Sequence, residues 1–322
     1  MIATASRTLR AASAAASALA LLALAACGQS AASDSAGSDS GSGEGGGDAI
    51  VFASIPAEES SSVAEDFAVI LEVIKSETGR EVEVQNANSY AAVIEAQRAG
   101  QVDIAGYGPF SYVTAMDTGV PVEPIGVPIE EEGAEAGYQS YGIVPADSDI
   151  EDLAGFRGKK VCFVDPTSTS GYLYPSAGLM ENDIDPENDV EQVMAGGHDA
   201  SALSVADGTC DAGFAYDTMV TNELIESGQL SEGDLEVVWE SETIAGSPVA
   251  IHTEIDPELA DQLRDIFQNK LNLPWLVENG FCDDEESCQL PEDSWGYIPA
   301  EDSLYDGVRE VCRVTEAEAC QG

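Results

Sequence analysis

The chain has 322 residues, 60 of them acidic against 12 basic, and a formal net charge of −48 at pH 7. A surface of that sign repels nucleic acid and argues against a polyphosphate or anionic-lipid partner held by charge alone, so no nucleic-acid partner is expected. Recognition of an anion has to come from local dipoles, and the acid excess itself reads as solubility in a salty or acidic medium.

Arg7 and Arg10 precede a run of Ala, Ser and Leu that ends in Leu24-Ala25-Ala26-Cys27. A basic start, a short apolar core and small residues before a cysteine read as a secretory leader over residues 1–26, too short and too rich in small residues to span a bilayer well. The ending resembles the bacterial lipobox, which implies cleavage before Cys27 and a lipid on that cysteine. Residues 27–48 are almost all Gly, Ser, Ala and acid, bury no large apolar side chain, and read as a flexible tether.

Residues 49–53 form a buried-strand run, and 54–62 a polar turn. Residues 63–78 place Val63, Phe67, Ile70, Leu71 and Ile74 on one helical face, stopped by Gly79. Residues 81–84 alternate as a strand, 90–99 return to helical period, and 102–105 read as the next strand. This alternation predicts parallel sheets with crossover helices, whose sites lie at the carboxyl ends of strands. The loops 54–62, 106–111, 165–171 and 196–199 are therefore the ones to watch. Residues 99–106 and 207–213 repeat one pattern, a helix end, a glycine stop and a strand, which supports two similar α/β lobes. The expected lobes are 49–138 with 246–322, and 139–245, joined by two chain crossings that form a hinge. Residues 259–271 read as an amphipathic helix belonging to the first lobe.

Besides Cys27 there are six cysteines, Cys162, Cys210, Cys282, Cys288, Cys312 and Cys320. An even number in an exported chain favours disulfides, and six allow about fifteen pairings. The closest in sequence, Cys282 with Cys288 and Cys312 with Cys320, suit short staples, while Cys162 and Cys210 each sit in or beside a strand. With His198 and His252 the only histidines, a zinc site is not expected.

The stretch Asp165-Pro166-Thr167-Ser168-Thr169-Ser170-Gly171 joins the apolar run 160–164 to a helix expected from about Tyr172. A strand that turns into a helix through small hydroxyl residues and a glycine aims free N–H groups and a helix dipole at one spot. Such a cradle suits a small oxyanion gripped by neutral donors. Pro175 is compatible with the helix if it falls within the first four positions, whose N–H groups have no intrahelical partner. Here the chain resembles the phosphate, phosphite and phosphonate-binding proteins of bacterial ABC importers, the PhnD-like family. Their Ser-Thr-Ser-Gly helix start and following proline match residues 168–175. Three further stretches agree in order: 107–112, 196–200 and 212–217.

The resemblance implies a type II periplasmic-binding-protein clamp of two α/β lobes with a two-strand hinge, closing over a small ligand. Ser168, Thr169 and Ser170 match donors to the phosphoryl oxygens, and His198 matches a histidine that reaches them. Tyr107 matches a cleft aromatic, and Asp217 the region where aminophosphonate binders place an acid against an amine. Glu58 lies in the first loop, which the family also uses. Asp217, Glu58 and Glu59 tilt the expected ligand slightly toward an aminophosphonate. The implied partners are permease and ATPase subunits and, through lipidated Cys27, the extracytoplasmic face of the cell membrane. A monomer without enzymatic activity, cofactor or metal is expected. The rivals are a binder of another anion, such as sulfonate or nitrate, and a secreted hydrolase using Ser168 or Ser170 with His198. The hydrolase lacks a Gly-x-Ser-x-Gly elbow and a third residue suitably placed to orient the histidine.

Overall fold

The computed structural model describes residues 48–57 and 62–320. The leader, the tether with Cys27, and Glu58 and Glu59 lie outside the described residues.

The first half of one lobe runs β1 (Ile50–Ser54), α1 (Val63–Asp66), α2 (Ala68–Thr78), β2 (Val82–Val84), α3 (Tyr90–Arg98), β3 (Ile104–Gly106), α4 (Pro109–Asp117) and β4 (Val122–Ile129). The chain then crosses through β5 (Gly137–Tyr138) into β6 (Ser140–Pro145), β7 (Lys160–Phe163), α5 (Tyr174–Glu181), β8 (Glu191–Met194), α6 (His198–Ala206), β9 (Ala212–Tyr216), α7 (Leu224–Glu226) and β10 (Leu235–Glu240). It returns through β11 (Ile244–Ala245) to β12 (Val249–His252), α8 (Pro257–Asp265), α9 (Leu273–Glu278), β13 (Gly296–Ile298) and α10 (Asp306–Thr315).

The strands make a six-stranded sheet ordered β13-β4-β12-β3-β1-β2 and a five-stranded sheet ordered β10-β6-β9-β7-β8. Between them β5 and β11 pair antiparallel, Tyr138 opposite Ile244 and Gly137 opposite Ala245, so the two crossings form a two-stranded ribbon. This is the two-lobed α/β clamp with a two-strand hinge.

Purely parallel sheets are not what forms. β1 pairs parallel with β2 and β3, and β7 with β8 and β9, where helices supply the crossovers. The strands next to a crossing, β4, β6, β10 and β12, pair antiparallel with their neighbours, as does β13. A strand that enters a sheet from the other lobe needs no helix to reverse it, so it can lie in the opposite direction.

Ile50, Phe52, Ile70, Val73 and Ile74 pack with Ile251, Leu263 and Phe267 on one face of the larger sheet. The expected single helix over residues 63–78 is broken at Phe67 into α1 and α2, with the Phe67 ring tilted against Phe52 at 5.0 Å between centroids. On the other face, Val93, Phe110 and Tyr112 pack with Tyr305 and Val308 of the C-terminal region and with Leu173 and Tyr174 of the other lobe. Three disulfides form among the described residues, Cys162–Cys210, Cys282–Cys288 and Cys312–Cys320. No helix among the described residues is long and apolar enough to cross a membrane.

Candidate functional site

Asp165 organises the turn after β7. Its carboxylate accepts the N–H and the hydroxyl of Thr167, both at 2.8 Å, and its carbonyl accepts the Ser168 N–H at 2.9 Å. Ser168 then caps a helix that opens with a wide π turn, Thr169–Leu173, before α5. The helix thus starts at Thr169 rather than near Tyr172, which carries Pro175 beyond the first four positions. The wide turn is how the proline is tolerated. The N–H groups of Leu173 and Tyr174 reach back five residues, to the carbonyls of Ser168 and Thr169. The Gly171 carbonyl, which a regular helix would offer to residue 175, instead accepts the Val164 N–H at 3.1 Å. A Cβ on Gly171 would run into the Val164 side chain, so only glycine lets the helix start lie this close to the strand.

Four helix N-termini converge on one cavity of about 50 Å³ between the lobes. Its walls include Tyr90 at the start of α3, Gly108 capping α4, Ser168 to Ser170, and His198 opening α6. No lysine or arginine is among its described lining residues. The first N–H groups of a helix have no intrahelical partner, and each end favours negative charge by up to about 2 kcal/mol when partly buried. Four such ends can hold an anion without a formal cation.

The side chains add directed donors. Tyr90 faces Ser168, and Tyr138 faces Ser170 and Thr169, across the cavity wall, and burial pushes both phenols well above their ordinary range, so they stay neutral. The His198 ring lies edge-on to Tyr216, and its Nδ1 accepts the Tyr216 backbone N–H at 3.2 Å. The ring proton therefore sits on Nε2, which lies 3.4 Å from the Ser168 hydroxyl at the cavity wall. Burial lowers the pKa of His198 to about 3, with nearby Asp199 opposing weakly, so the ring is a neutral donor near pH 7.

Backbone N–H groups donate across the cleft in both directions. The Phe110 N–H donates to Thr169 Oγ1 at 2.9 Å, and the His198 N–H donates to the Ala57 carbonyl at 2.8 Å. Each ties a helix N-terminus to the opposite lobe.

Of the residues expected at the site, Ser168, Thr169, Ser170, His198 and Asp217 line the cavity together. The Asp217 carboxylate accepts the N–H groups of Gln139 at 2.9 Å and Thr218 at 3.1 Å, tying it to the hinge, while burial raises its pKa. Tyr107 is not on this cavity. It faces the wider cleft around it, but its ring is buried and its hydroxyl donates to Gln97 at 2.7 Å. The neighbouring Gly108, the N-cap of α4, takes that place on the wall. Glu58 is outside the described residues, though Ile55 and Ala57 of its loop line the cavity.

Tyr90, Tyr138, Thr218, Ser247, Glu292 and Ser294 also line it and were not expected. Tyr90 had a signal, since Ser89 caps a helix just after β2, the same strand-to-helix arrangement as the cradle. Tyr138 carried only its place at the crossing, and Glu292 and Ser294 come from the cysteine-rich tail.

A family model described as an ABC transporter, phosphonate, periplasmic substrate-binding protein matches residues 52–270. The phosphate-import protein PhnD of Mycolicibacterium smegmatis is 46% identical over 283 residues, 85% of this chain and 88% of that protein. A binding component of an ABC phosphonate transporter from Pseudomonas aeruginosa has a similar structure, with TM-score 0.73 and 24% identity over 83% of this chain and 86% of that one. PhnD1 from Prochlorococcus marinus, solved in complex with methylphosphonate, gives TM-score 0.71 and 17% identity over 84% of this chain and 98% of that one. With most of its length matched by one family's model and by a close relative, the chain belongs to the periplasmic phosphonate-binding family, the substrate-binding proteins of ABC importers.

Proposed function

We propose that the clamp captures a small phosphorus oxyanion, phosphate ahead of phosphite and short phosphonates, and delivers it to permease and ATPase subunits without changing it chemically. The observation that carries this reading is the convergence of four helix N-termini and a ring of neutral hydroxyls on a cavity with no lysine or arginine among its described lining residues. About 50 Å³ is room for a few water molecules, which suits a compact tetrahedral ion better than one bearing an aminoethyl arm. Asp217 is already engaged with two backbone N–H groups, which weakens the case for an amine partner there. The relative named for phosphate import favours phosphate among the small ions.

The ligand docks on Ser168, Thr169, Ser170 and His198 of residues 139–245. The lobe of residues 49–138 and 246–322 closes over it about the β5 and β11 ribbon, making the bonds to Thr169 and His198. The closed form is the one a permease distinguishes. Residues 1–26 act as a leader and 27–48 as a tether that holds a monomer at the extracytoplasmic membrane face through lipidated Cys27. The His198 tautomer favours a binder over a hydrolase, because a ring whose Nε2 carries the proton cannot take one from Ser168.

Thermal-shift titrations with phosphate, phosphite, methylphosphonate, 2-aminoethylphosphonate, sulfate and nitrate test this. Phosphate should give the largest rise in Tm, reduced in Ser170→Ala and His198→Ala. A rise with sulfate or nitrate alone would overturn the assignment.

A further inference from the structure

The segment after α9 lies beyond the residues matched by the family model. It is nonetheless built firmly into the first lobe. The Cys282–Cys288 disulfide closes its first loop, and Cys288 and Leu290 are buried in the core beside Phe267 and Tyr297. Further on, the Trp295 N–H donates to Ile129 at 2.8 Å and the Leu273 N–H to Trp295 at 3.0 Å, pinning β13 between β4 and α9. Between these anchors the chain bends sharply. Glu292 and Asp293 both take left-handed backbone angles, φ 58° and 50°, a conformation that is uncommon for residues other than glycine and is found at ligand clamps.

The bend brings Glu292 and Ser294 to the cavity wall. Ser294 is 5% exposed and its hydroxyl has no hydrogen-bond partner, an arrangement that leaves a donor waiting. Glu292 is solvent-exposed as a residue, but it lines the cavity beside Ser247, whose hydroxyl favours its ionised form. Asp217, Glu223 and Glu130 are the charged neighbours acting on it, and burial first, then these acids, push its pKa up to about 7.

A carboxylate beside a bound anion is repelled unless a proton lies between them. Phosphate, phosphite and phosphonates hold such a proton near neutrality, and sulfate does not. We propose that Glu292 and Ser294 are specificity-determining contacts: the Ser294 hydroxyl donates to one ligand oxygen while the Glu292 carboxylate accepts a P–OH, so the clamp takes a protonated oxyanion and rejects a fully ionised one. This rests on the phosphorus-oxyanion reading above.

Calorimetric titration of the whole protein and of Glu292→Gln and Ser294→Ala with phosphate and with sulfate at about pH 8.5, where Glu292 is ionised and phosphate keeps one proton, tests it, with thermal melts to verify folding. Wild type should prefer phosphate by about tenfold or more. In Glu292→Gln, whose amide can donate, phosphate should weaken several-fold while sulfate gains, so the ratio falls by about tenfold or more. Ser294→Ala should weaken both ligands alike. An unchanged ratio in a folded Glu292→Gln that still binds phosphate would overturn this proposal alone. Wild type that binds no phosphorus oxyanion would overturn the parent reading with it.

Discussion

The backbone N–H of Tyr216 donates to Nδ1 of His198, and that bond fixes which face of the ring offers a proton to the cleft. One consequence concerns pH. The folded His198 pKa, about 3, is below the ordinary value of 6.5, so the unfolded chain takes up a proton there that the native state refuses. His198 costs no stability above pH 6.5 and progressively more as pH falls from there toward 3. His198→Gln should therefore lose stability more slowly than wild type between pH 6.5 and 4, measured by urea unfolding across that window. Ligand affinity should show no step from a histidine titration between pH 5.5 and 8.

Thr169 is expected to govern closure. Thr169→Val leaves the buried Phe110 N–H without its acceptor, a loss of about 1–3 kcal/mol, or roughly tenfold to a hundredfold in affinity. Thr169→Ser keeps the oxygen and should stay within a few-fold of wild type. Titration calorimetry of the two variants makes the comparison.

Gly171→Ala should be more damaging than either. The new Cβ meets the Val164 side chain where the helix start lies against the end of β7. The expected result is a loss of about 1–3 kcal/mol in stability, with ligand binding largely abolished as the cradle shifts. Differential scanning calorimetry with and without ligand reads both effects.

The disulfides should rank by the loop each closes. Cys162–Cys210 spans 48 residues and joins β7, which leads into the cradle, to the chain entering β9; chain entropy assigns it about 4 kcal/mol. Cys282–Cys288 spans 6 residues and is assigned about 2 kcal/mol. Paired Cys→Ala variants compared by equilibrium unfolding should keep that order.

The α/β clamp and the cradle at 165–171 were legible because both rest on local rules: alternating strand and helix periods, small hydroxyl residues before a helix, and glycine where two elements meet. All four loops singled out at strand ends reach the cavity, through Ala57, Gly108, Ser168 to Ser170 and His198. What was hidden depends on long-range pairing. The antiparallel strands at the crossings follow from lobe exchange, which no local pattern encodes. Tyr107 looked like a loop aromatic, yet Gln97 ten residues earlier takes its hydroxyl into the core. The π turn ahead of Pro175 depends on Val164 for its compensation. Glu292 and Ser294 are brought to the cavity by anchors at Cys288, Leu290 and Trp295, none of which marks a site in sequence.

A cavity lined by helix ends and hydroxyls should hold a phosphorus oxyanion without a cation. The most direct test is titration calorimetry of phosphate into protein stripped of ligand by unfolding and refolding. Saturable one-to-one binding with a Kd of about 1 µM or tighter is expected. Absence of phosphate binding at millimolar concentration, in protein that still binds sulfonate or nitrate, would contradict it.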